Sequence, residues 1–132
     1  MTKTRDPSPA IEIKGLDYAF GRDEAKKQVL FGVDLEIAPG EFVILTGPSG
    51  SGKTTLLSLC GALRQSQNGK LLCLGRDLSC LEKSALENYR REVGFIFQLH
   101  NLFPALTAFE SVKMAVALRP DLAENAEERI RA

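Results

Sequence analysis

Apolar and polar positions alternate in two early stretches of the chain. Ile11, Ile13, Leu16, Tyr18 and Phe20 predict a strand whose alternation is clean at first and looser later. Leu30, Val33, Leu35 and Ile37 predict a second strand over Val29 to Ile37, with a charged loop from Gly21 to Gln28 between the two. Ala38-Pro39-Gly40 signals a turn. Phe42-Val43-Ile44-Leu45 is apolar without interruption, which is the pattern of a strand covered on both faces in a parallel sheet. Leu71 to Leu74, closed by Gly75, and Val93 to Phe97 predict two further strands, the last also buried. From Lys53 the spacing changes to that of a helix, with Leu56, Leu59, Cys60 and Leu63 on one stripe. Ser84 to Arg91, Ala108 to Leu118 and the charged segment Leu122 to Ala132 also read as helical, and Pro120 separates the last two. The composition is that of an ordinary soluble α/β or α+β protein. Residues 1–10, with two prolines and little apolar content, read as a mobile tail, and Gln98 to Thr107 as a loop.

Between the apolar run and the first helix lies Gly47-Pro48-Ser49-Gly50-Ser51-Gly52-Lys53-Thr54, which meets GxxxxGK[ST] at every fixed position. A strand before it and an amphipathic helix after it supply the context a phosphate-binding loop needs. Phosphate oxygens require several donors at close range. Backbone N–H groups provide them only where side chains do not intrude, which accounts for Gly47, Gly50 and Gly52. The helix beginning near Lys53 adds unpaired N–H groups and about half a positive charge. Lys53 is the point charge for β- and γ-phosphates, Thr54 the hydroxyl for Mg²⁺, and Thr55 a further phosphate contact. The competing reading is a glycine-rich turn with a surface lysine. The rival GxGxxG pattern fails because Thr55 stands where its third glycine belongs, and neither DxxG nor NKxD of GTPases occurs.

Length and composition narrow the classes. The 132 residues amount to one domain at most, and the 44% hydrophobic content argues against a disordered chain. Seventeen basic and 17 acidic side chains cancel, which argues against a protein that coats nucleic acid. No apolar run approaches the ~18 residues of a membrane span. Cys60, Cys73 and Cys80 have no CxxC spacing, and buried or free thiols are expected rather than a disulfide framework. His100 is the only histidine.

Beyond the tail, the whole chain resembles the ATP-binding subunit of ABC transporters. The resemblance rests on the order Phe20-Gly21, VLFGVDLEIAPGEFVILTGPSGSGKTTLL, a hairpin ending LCLG, and YRREVGFIFQ. It implies an α/β fold, an incomplete P-loop nucleotide-binding core over residues 11–107, followed over 108–132 by the start of the family's helical subdomain. The implied ligands are ATP and Mg²⁺. Phe20 takes the place of the aromatic that stacks on adenine, with Tyr18 as the second candidate and plain core packing as the alternative for Phe20. The phosphate site comprises Gly47, Pro48, Ser49, Gly50, Ser51, Gly52, Lys53, Thr54 and Thr55. Gln98 matches the glutamine of the Q-loop, contacting Mg²⁺ and water, so Thr54 and Gln98 are the implied metal contacts. The segment FQLHNLFPALTAFESV is similar to the lipoprotein-release and macrolide-export branch, and closest to heterocyst-type (DevA-like) exporter ATPases. His100 there is a branch marker, and Phe103, Pro104 and Leu106 are candidate contacts to a membrane subunit or local packing residues. The implied partners are a separate membrane permease and a second ATP-binding subunit, with no nucleic acid. The implied place is cytoplasmic, peripheral to the inner face of the membrane.

The family pattern then breaks off. The LSGGQ signature, the Walker B strand with its Asp and catalytic Glu, the D-loop and the switch histidine have no match. The chain is therefore expected to be a fragment that holds the ATP cradle without its hydrolytic half. The competing reading is a stand-alone nucleotide-binding module without turnover.

Overall fold

A computed structural model describes residues 8–97, 103–117 and 130. The chain forms two compact units, residues 1–90 and 91–132. In the first, β1 (Ile11–Phe20) and β2 (Lys27–Ile37) form an antiparallel hairpin, joined through one 3₁₀ turn at Asp23–Ala25. Helix α1 (Lys53–Cys60) follows, then β3 (Asn68–Cys73) and the short β4 (Arg76–Asp77). The sheet order is β2-β1-β3-β4, antiparallel throughout. Helix α2 (Lys83–Glu92) packs back with Tyr89, whose hydroxyl donates to the Cys60 carbonyl at 2.7 Å. The described residues of the second unit include helix α3 (Ala108–Ala117).

The loosening alternation in β1 has a local cause. Ile13 and Leu16 are both fully buried although an odd number of positions separates them. Gly15 lies between them at φ +56°, and the pairing register shifts there, so one bulge turns both side chains to the same face. The amides freed by the bulge are satisfied: Asp34 accepts from Gly15 N–H at 2.7 Å, and Asp17 accepts from Gly32 N–H at 2.8 Å. Leu59 from α1 and Leu71 and Cys73 from β3 complete the centre of the core. Cys60, Cys73 and Cys80 are free thiols, and the adjoining Cys73 together with burial pushes the Cys60 thiol up.

Two expected strands do not form. Phe42 to Leu45 and Val93 to Phe97 have no regular assignment, and Phe42 and Ile44 are 88% and 71% exposed. A strand is completed by its neighbours' hydrogen bonds, and neither run finds a ladder partner among the described residues. Val43 to Leu45 instead border an apolar cleft of about 370 Å³ shared with Ile11, Leu35 and Leu56. The α1 stripe is also shorter than its spacing suggests. Leu56 and Leu59 are buried, but the helix ends at Cys60 and Leu63 is exposed. The expected helix at 122–132 lies outside the described residues, apart from position 130.

Helix α3 opens on a capping box. Glu110 accepts from the backbone N–H and the hydroxyl of Thr107, both at 2.8 Å, while Glu110 N–H donates to Thr107 Oγ1 at 3.3 Å. The Thr107 amide and hydroxyl hold the Glu110 carboxyl below the usual value. A depressed carboxyl contributes stability above its ordinary pKa of 4.5 and loses it as pH falls through the lowered folded value. Amides in the first turn of α3 should therefore lose exchange protection on acidification below pH 4.5, and Glu110→Gln should remove that pH dependence. A second expectation concerns the polypeptide of these 132 residues in isolation. With Phe42, Ile44 and Ile96 exposed, it should self-associate in sedimentation. A monodisperse monomer with a sharp two-state melt would contradict this.

Candidate functional site

The site is built around the start of α1. The Pro39-Gly40 turn is closed by Glu41, whose carboxylate accepts from Ala38 N–H at 2.9 Å while its own N–H donates to the Ala38 carbonyl at 3.2 Å. The chain then runs through 42–45 to the loop, which wraps from Gly47 to Gly52. Ser51 N–H closes the loop on the Pro48 carbonyl at 3.3 Å. Gly52 takes the N-cap position at φ +88°, with no side chain to bond the first helical amides. The first bond of the helix, Leu56 N–H to Gly52 O, is 2.9 Å long. By helix geometry the amides of the residues before Leu56 have no partner inside the helix and face the loop.

Lys53 returns over its own loop. Its Nζ donates to the carbonyls of Gly47 and Pro48, each at 2.8 Å, and to Ser51 Oγ at 3.2 Å. The ammonium is thus held at the mouth of the amide-lined turn. Neutral carbonyls are weaker partners for it than phosphate oxygens, so an anion entering the loop can take it over. Pro48, Ser49, Gly50 and Thr54 are exposed at the loop, and Thr55 is buried. The arrangement fits a polyphosphate: a fixed cation, a helix start and a turn without bulky side chains surround one space. Thr54 adds an exposed hydroxyl for a hard cation. Mg²⁺ bound there would neutralise phosphate charge.

The loop reaches the sheet through Gly52. A Cβ at this residue would lie 2.7 Å from Leu30 Cδ2 and 3.1 Å from the Val29 carbonyl oxygen. Leu30 in turn faces Tyr18 across the hairpin, and Phe20 pairs with Lys27 at its turn end. Of the two aromatic candidates, Tyr18 is buried and Phe20 half-buried, their rings meeting edge-on at 5.2 Å between centroids. Phe20 also carries the Arg64 guanidinium over its ring at 4.8 Å. Gln67 bonds both backbone groups of Ala19, accepting from its N–H and donating to its carbonyl at 2.9 Å each. Neither Arg64 nor Gln67 belongs to a sequence motif, and no local spacing singles them out. Gln98 and His100 lie outside the described residues. Phe103 and Pro104 are exposed and Leu106 half-buried, in the second unit.

A protein-family profile described as ABC transporter matches residues 30–132. The macrolide export ATP-binding/permease protein MacB of Marinobacter nauticus is 46% identical over 109 residues, covering 82% of this chain and 17% of that protein. The lipoprotein-releasing system ATP-binding protein LolD of Anaeromyxobacter dehalogenans is 42% identical over 130 residues, covering 94% and 54%. Among solved structures, the dimeric ATP-binding cassette MJ0796 in a post-hydrolysis state bound to ADP and Pi superposes with a TM-score of 0.82 at 34% identity. That match covers 92% of this chain and 53% of the cassette. The chain thus spans about half the length of the cassette and of LolD, and less of MacB.

The contact at Gly52 yields a stability prediction. Gly52→Ala combines a left-handed backbone with a clash against Leu30, and should cost about 2–4 kcal/mol. The measurement is the melting temperature of the full-length protein. An unchanged value would show that α1 does not press on β2.

Proposed function

The chain belongs to the ABC transporter family, and on that footing we propose that it is the ATP-gripping part of an exporter's ATP-binding subunit. The observation that carries the reading is Lys53 Nζ held at 2.8 Å from the Gly47 and Pro48 carbonyls, over the amide-lined start of α1. Gly47 to Gly52 wrap the β- and γ-phosphates with backbone donors. Lys53 exchanges its loop carbonyls for phosphate oxygens, Thr54 contacts Mg²⁺ and Thr55 borders the phosphates. Phe20 supports the adenine. Gln98, from the resemblance alone, completes the Mg²⁺ and water contacts. Bound Mg²⁺ supplies charge neutralisation, and the chain's own groups supply position.

The wider role follows from the same family. ATP binding and hydrolysis drive export through a separate membrane subunit, with a second ATP-binding subunit closing on the first. The similarity to LolD and MacB supports placement in the lipoprotein-release and macrolide-export branch. No helix among the described residues is long and apolar enough to cross a membrane. The proposed place is the cytoplasmic side, against the membrane partner. The groups that polarise the attacking water in the family have no counterpart in this sequence, so these 132 residues bind without turning over.

Two assays test this. In the full-length protein, Lys53→Ala should abolish ATP turnover and weaken ATP binding at least about tenfold, as expected for loss of a charge-assisted phosphate contact. The 132-residue segment alone should hydrolyse ATP at the background rate. A steady-state ATPase signal from that segment, removed by Lys53→Ala, would contradict the second point.

A further inference from the structure

Two groups contact the half-buried ring of Phe20, and a third fixes the strand beside it. Tyr18, anchored in the core, meets it edge-on at 5.2 Å. Arg64 places its guanidinium 4.8 Å above the ring centroid, within the range of a cation–π contact. Gln67 fixes the backbone just before the ring. The β1–β3 ladder ends at the pair Asp17–Asn68, and the Gln67 side-chain amide extends it by bonding both the N–H and the carbonyl of Ala19 at 2.9 Å. An aromatic that merely fills a surface gap needs none of this. Arg64 and Gln67 both lie in the segment between α1 and β3, and α1 carries the phosphate loop at its other end.

We propose that the α1–β3 segment positions Phe20 as the platform for a purine base, Arg64 backing one ring face and Gln67 fixing the strand end so that the base stacks on the opposite face. The inference rests on the reading of Phe20 given above and adds what makes the ring competent. A cation on one face draws π density through the ring, and the other face becomes a better partner for an electron-rich purine. The ring is ordered before the nucleotide arrives, so little side-chain freedom is lost on binding. Arg64 and Gln67 are positioning residues, since they act through Phe20. One helix and the segment after it then set both the phosphate end and the base end of the site.

The experiment compares two ligands on the full-length protein: ATP, and inorganic tripolyphosphate, which has no base. Phe20→Leu tests the underlying reading, and should weaken ATP about tenfold while leaving tripolyphosphate unchanged. Arg64→Ala should weaken ATP about three- to fivefold, leave tripolyphosphate unchanged, and add nothing in the Phe20→Leu background. Arg64→Lys should restore most of the loss because it keeps the cation. Gln67→Ala should follow Arg64→Ala in direction and in its dependence on the base. If Phe20→Leu weakens ATP and Arg64→Ala does not, the proposal fails while the base platform stands. If Arg64→Ala weakens both ligands alike, its role is structural and the proposal is overturned. If Phe20→Leu leaves ATP unchanged, both readings fall together.

Discussion

The close approach of Gly52 to β2 governs the geometry of this molecule. With no Cβ, the start of α1 can come against Leu30 and the Val29 carbonyl, and the left-handed backbone there lets the loop curl over the helix end. Leu30 lies opposite Tyr18, whose ring touches Phe20. A single glycine therefore links the phosphate loop to the turn end of the β1–β2 hairpin. The helix end, the lysine and the aromatic are parts of one packed unit, which turns a glycine-rich stretch into a loop of defined shape.

The chain carries no net charge, so bulk charge supplies no attraction for an anion. What it offers is local: loop amides, a helix start and one ammonium already drawn to the mouth of the turn by two carbonyls. Loop contacts of this kind limit the freedom Lys53 would otherwise lose when a phosphate arrives. The polar partners of the β1 bulge work in the same way on the scaffold. Asp17 and Asp34 satisfy amides that the bulge frees, and so let Ile13 and Leu16 both turn into the core.

How much of this was legible in the sequence depends on how local each requirement is. The phosphate loop could be read residue by residue, because each position answers to a constraint within eight consecutive residues. The hairpin strands, α1, α2 and α3 were legible from spacing, and the alternation of β1 was legible as irregular, while the bulge at Gly15 that causes it was not. Phe42 to Leu45 and Val93 to Phe97 were legible as apolar but not as strands, since a strand is settled by its neighbours. This chain spans only about half the length of the cassette it resembles. Arg64 and Gln67 were not legible at all. Gln67 meets Ala19 across 48 positions, and nothing in a loop of polar residues announces such a contact.

The central claim is that one continuous surface, from the loop at 49–55 to the strand end at Phe20, receives the nucleotide. Backbone amide hydrogen exchange of the full-length protein, with and without ATP and Mg²⁺, tests it most directly. The account predicts slowed exchange at residues 49–55 and at Phe20 and Gly21, with β4 and α3 unchanged. Unaltered exchange at 49–55, or protection confined to other parts of the chain, would contradict it.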